Sequence, residues 1–68
     1  MNLEETNQII ENLKAQIDFN KRRIEKLEYE NKICDNEEKK ELNNMEINQA
    51  NQAISGYIEA IQILEELI

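Results

Sequence analysis

Apolar side chains recur every seven residues through the first half of the chain, at Leu3, Ile10, Ile17 and Ile24, with Asn31 next in the series. Three residues after each stand Thr6, Leu13, Asn20, Leu27 and Cys34. This is the a/d spacing of a heptad, which places one stripe along one side of an α-helix. The second half repeats it. Ile47, Ile54, Ile61 and Ile68 are spaced by seven, and Ala50, Tyr57 and Leu64 hold the d positions.

The two series are out of phase. Ile24 and Ile47 are 23 residues apart, three heptads plus two. At about 100° per residue, two extra positions swing the stripe far around a continuous helix, which would then carry two unrelated seams. A break between them lets both stripes face each other. The stretch "KICDNEEKK" supplies one: Asp35 followed three residues later by Glu38 reads as a capping box, and Glu37 and Glu38 suit a helix N-terminus. The expectation is one domain, residues 1–68, an all-α antiparallel two-helix hairpin of coiled-coil type. Helix one covers about residues 2–33, the turn about 34–36 and helix two about 36–68, each helix roughly 48 Å long. Such a hairpin brings Leu3 near Leu64 and Ile68, Ile17 near Ala50 to Tyr57, and Leu27 near Asn43 to Ile47.

Helix two is apolar beyond its seam. Ala53, Ala60 and Leu67 take g positions and Ile58 an e position, while Ala53, Gly56 and Ala60 form a row of small residues. One partner helix does not cover so wide a stripe. The pattern predicts self-association through Ala53, Gly56, Tyr57, Ile58, Ala60 and Leu67, most simply as a homodimer forming a four-helix bundle. Thr6, Asn20 and Asn31 weaken the seam of helix one. They read as register control, because a buried Asn disfavours slipped pairings, with a binding feature as the sharper alternative.

Composition supports helices. The chain has no Pro and one Gly, so few turns are expected. It has no Val and three aromatics, which argues against a sheet. Its formal net charge of −7 disfavours direct binding to nucleic acid or to an anionic membrane. No apolar run approaches a membrane span and no signal-peptide pattern stands at the N-terminus. The single Cys34 has no internal disulfide partner, which fits a reducing, cytoplasmic setting. Richness in Ile, Asn, Lys and Glu resembles proteins of AT-rich bacterial or phage genomes.

Charge is uneven along the chain. Residues 21–32 carry five basic and three acidic side chains within an otherwise acidic protein. On the heptad, Phe19, Lys26 and Ile33 fall at c, and Arg22 and Tyr29 at f, both away from the seam. A solvated outer face is ordinarily Glu, Lys and Gln. Arg, Tyr and Phe together are enriched in protein interfaces. Phe19, Arg22, Lys26, Tyr29 and Ile33 are therefore a candidate stripe for another, unidentified protein, or a face covered by further assembly. A hairpin also gathers Glu4, Glu5 and Glu11 with Glu59, Glu65 and Glu66 at its open end. These read as a solubilising surface. The alternative is an acidic mimic of nucleic acid that blocks a DNA- or RNA-binding enzyme, as small phage inhibitors do. A scaffold role is a third reading.

Catalytic chemistry is not indicated. Without His there is no acid/base group poised near neutral pH and no imidazole metal ligand. Cys34 has no His to activate it and reads as a partly buried thiol near the turn. No Gly-rich phosphate loop and no Ca²⁺-loop spacing is present. The sequence indicates no enzyme, no cofactor and no metal.

Overall fold

The computed structural model describes residues 2–68 and contains two α-helices packed against each other, α1 (Leu3–Ile33) and α2 (Glu37–Glu66). The molecule measures 51 × 14 × 11 Å. Its long axis is the length of one helix, so the chain folds back on itself as the phase break requires. The two helices start and stop within two residues of the expected limits, where fraying makes boundaries soft.

The link is Cys34–Asn36, three residues without regular structure. The cap of α2 differs from the sequence expectation. Asn36, not Asp35, is the N-cap, and its Oδ1 accepts the Lys39 backbone N–H at 3.2 Å. The Cys34 thiol explains the choice. Sγ accepts the Asn36 N–H at 3.4 Å and lies 3.7 Å from the Asn36 carbonyl, holding the link in a tight loop that delays the helix by one residue. Asp35 is left exposed in the link. Glu37 and Glu38 still occupy the first turn, where carboxylates favour the helix dipole. Asn2 caps α1 in the same manner, accepting from the Glu5 N–H at 2.8 Å. Asn36→Ala should lower stability by about 1 kcal/mol, read as a shift of the urea midpoint. An unchanged midpoint would show that the Asn36 cap adds nothing net to stability.

The seam is the one the heptads define. Ile10, Leu27, Ala50 and Ile61 are the buried apolar residues, and Thr6, Asn20 and Asn43 are buried polar ones. Leu13, Ile17, Ile24, Ile47, Ile54, Tyr57 and Leu64 are half-buried along the same line. At the open end Leu3 and Ile68 are exposed. They line a shallow depression with Thr6 and Leu67, which places Leu3 near Ile68 as expected.

Asparagines bridge the two helices near the turn. Asn43 Nδ2 donates to Asn31 Oδ1 at 3.0 Å, and Asn31 Nδ2 donates to Asn44 Oδ1 at 3.0 Å. Asn43 Nδ2 also lies 3.5 Å from Glu30 Oε2. Heptad steps from the Asn31–Asn43 layer pair Ile24 with Ala50, Ile17 with Tyr57 and Ile10 with Leu64. The alternate layers pair Leu27 with Ile47, Asn20 with Ile54 and Leu13 with Ile61. Arg23 and Glu46, both at g, meet across the helices at 3.6 Å, as an antiparallel pair with this register demands. Thr6 and Asn20 act differently. Thr6 Oγ1 donates to the Asn2 carbonyl at 2.9 Å and Asn20 Nδ2 to the Gln16 carbonyl at 2.8 Å, each within its own helix. Of the polar seam residues in α1, Asn31 is the one that bridges the hairpin.

Candidate functional site

The two flanks of the hairpin differ sharply. In an antiparallel pair the e positions of both helices lie on one side of the seam and the g positions on the other, with b and c respectively further out. On the e/b side α1 presents Asn or charged residues alone, from Glu4 and Asn7 to Glu28 and Lys32. α2 adds Asn44, Asn48, Asn51, Ser55 and Gln62 there, and Ile58 is its one apolar member. The g/c side carries Ile9, Phe19 and Ile33 from α1, and Leu42, Ala53, Gly56, Ala60, Ile63 and Leu67 from α2. Glu5, Arg23, Lys26, Glu30, Lys39 and Glu46 share that side, and, Ile58 apart, the apolar residues that flank the seam gather on it.

The basic and aromatic stripe sits at the outer edge of α1. Phe19, Tyr29 and Ile33 are 64, 63 and 66 % exposed, with nothing of α2 over them. Arg22 reaches back to Asp18 at 3.2 Å in an exposed i, i+4 pair. Such a pair holds the guanidinium by only about 0.3–0.5 kcal/mol, so it is readily released to another acceptor. Lys26 lies between Arg22 and Tyr29 on the same edge. The fold thus brings all five stripe residues onto one continuous strip.

The residues expected to drive self-association are divided among three places. Tyr57 is a seam residue, half-buried between the helices. Ile58 lies on the polar e/b side. Ala53, Gly56, Ala60 and Leu67 lie together on the g/c side. The space around Gly56 is open, for a Cβ built there meets no atom within 4 Å.

The acidic residues of the open end are also spread around the rod. Glu4, Glu11 and Glu65 fall on the e/b side, Glu59 and Glu66 on the back of α2, and Glu5 on the g/c side. All six are exposed. They wrap the end instead of lining one groove.

Asn43 and Asn44 were not singled out from the sequence, yet they make the polar contacts that lock the helices. One heptad step back from Ala50 lands on Asn43, so the signal was present in the spacing. It became legible only once the register placed it opposite Asn31. Cys34 is half-buried at the turn, as its position suggests. Every buried side-chain nitrogen and oxygen among the described residues has a hydrogen-bond partner, so no buried polar group there is left waiting for a ligand. No helix among the described residues is long and apolar enough to cross a membrane. Comparison with protein-family models, with curated proteins and with solved structures gives no match to this chain.

Proposed function

We propose that this chain is a non-enzymatic interaction module: a small acidic helical hairpin that self-associates and works by binding another protein. It acts as a regulator, inhibitor or assembly factor. The observation that carries the reading is the outer strip of α1, where Phe19, Tyr29 and Ile33 are about two-thirds exposed and interleave with Arg22 and Lys26. Exposed aromatics cost little where they stand and gain most when a partner desolvates them, and a nearby Arg adds bidentate or stacking contacts. A partner with a shallow apolar groove rimmed by carboxylates fits this strip.

The test is the double substitution Phe19→Ala with Tyr29→Ala. Neither side chain touches the seam, so far-UV circular dichroism should be unchanged. Quantitative pull-down from cells that express the protein should recover a partner with the unaltered chain and lose it by tenfold or more with the double variant. A partner that survives both substitutions would remove the strip as the binding site.

A further inference from the structure

The hairpin has a face with a single charge in its most acidic half. The terminal half, residues 1–19 with 52–68, carries Lys14 as its one basic side chain against seven acidic ones, whereas residues 20–51 carry seven basic and eight acidic. In the terminal half Glu4, Glu11, Asp18 and Glu65 lie on the e/b side, and Glu59 and Glu66 on the back of α2. The g/c side there holds Ile9, Ala53, Gly56, Ala60, Ile63 and Leu67, with the uncharged Asn12 and Gln16 between them, Phe19 at its inner limit and Glu5 as its single charge. Ile63 and Leu67 are 61 and 72 % exposed.

We infer that this g/c face of the terminal half is where a second copy of the chain docks. The inference rests on self-association being part of the proposed function, and it assigns the face. Charge argues for a copy. Two chains of net charge −7 repel on approach, and this is the side on which their terminal halves meet without stacking carboxylates. A basic partner would instead be drawn to the e/b side and the back, where the acids stand. Area argues the same way. The hairpin exposes 5372 Å², while a compact protein of 8.1 kDa exposes about 4,500 Å². The excess of about 900 Å² is close to the roughly 800 Å² that each partner contributes to a stable interface. Ala53, Gly56 and Ala60 present little beyond the backbone, so a facing helix can approach closely, with Ile9, Ile63 and Leu67 as the larger side chains around them.

The face predicts an unusual salt response. The acids left outside still repel across the dimer, so screening should strengthen it. Sedimentation equilibrium at several concentrations, in about 0.05 M and 0.5 M salt, should show a dimer that tightens several-fold at the higher salt. Ile63→Ser with Leu67→Ser should weaken dimerisation at least tenfold with helicity retained, because both side chains are exposed in the hairpin. Ile58→Ser, on the opposite flank, should change it less than twofold. A dimer that ignores the double substitution, or that Ile58→Ser disrupts equally, would overturn this face while leaving self-association standing. A folded monomer at every concentration would overturn both, and a dimer weakened by salt would overturn the charge argument for a second copy.

Discussion

Leu27→Ala should unfold much of the population at room temperature. Leu27 is 7 % exposed and, among the described residues, shares the buried apolar core with only Ile10, Ala50 and Ile61. Truncating a buried Leu removes its transfer free energy and leaves a cavity, about 2–5 kcal/mol in total. Stability of about 0.05–0.15 kcal/mol per residue gives a chain of this size a total of the same order. No other layer of the molecule can compensate, because a two-helix seam is one side chain deep. Urea titration followed by far-UV circular dichroism, at a fixed protein concentration so that association does not shift the curve, measures the loss. Leu42→Ala is the control. Leu42 is 61 % exposed on the outer flank, and its loss should move stability by less than about 0.5 kcal/mol. If the two variants melt alike, the seam is not where the stability of the chain resides.

The second large effect concerns the asparagine layer, and its sign reverses with the substitution. Asn43→Ala removes the donor to Asn31 Oδ1 together with the rest of the carboxamide that fills this layer of the seam, and should cost about 1–3 kcal/mol. Replacing both seam members, Asn31→Leu with Asn43→Leu, removes the polar requirement along with its partner. That pair should recover the loss and exceed the unaltered protein by about 1–2 kcal/mol, because an apolar layer replaces a polar one that gained little net from its hydrogen bonds. The gain should come with a loss of definition. The hydrogen-bond penalty on a hairpin slipped by one heptad, or on an open chain paired with another, would then be gone, and light scattering should show a broader distribution of masses. A stabilised variant that keeps one sharp species would mean that the three-residue link, and not the asparagines, enforces the register. A destabilised double variant would mean that the bond from Asn31 to Asn44 carries more than its geometry suggests.

These two experiments separate what the chain needs to fold from what it needs to fold in one way. Leu27 supplies apolar burial, which is indifferent to register at heptad resolution. Asn31 and Asn43 supply directional hydrogen bonds, which are satisfied in one register. The outer strip of Phe19, Arg22, Lys26 and Tyr29 enters neither account, which is why its substitution tests binding without disturbing the fold.

The sequence by itself determined the helices, the break and the seam. Seven-residue spacing is a one-dimensional signal, and the two-residue phase slip between the series is one as well. An antiparallel hairpin follows from both without any knowledge of contacts. The same arithmetic placed Phe19, Tyr29 and Ile33 away from the seam, and the structure leaves them exposed. Three matters needed the tertiary structure. The cap of α2 moved from Asp35 to Asn36 because the Cys34 thiol bonds the link locally, and heptad spacing carries no information about a loop. Thr6 and Asn20 turned inward to their own backbones while Asn31 reached across, because which acceptor an Asn finds depends on what the facing helix places opposite it. Ile58 and Ala60, near neighbours in the sequence and both outside the seam, went to opposite flanks, because sidedness exists only once a second helix defines a plane. The contrast between the flanks of the terminal half, one carrying Glu4, Glu11, Asp18 and Glu65 and the other Glu5 alone, is likewise a property of the pair of helices, produced by bringing two stripes together in one register.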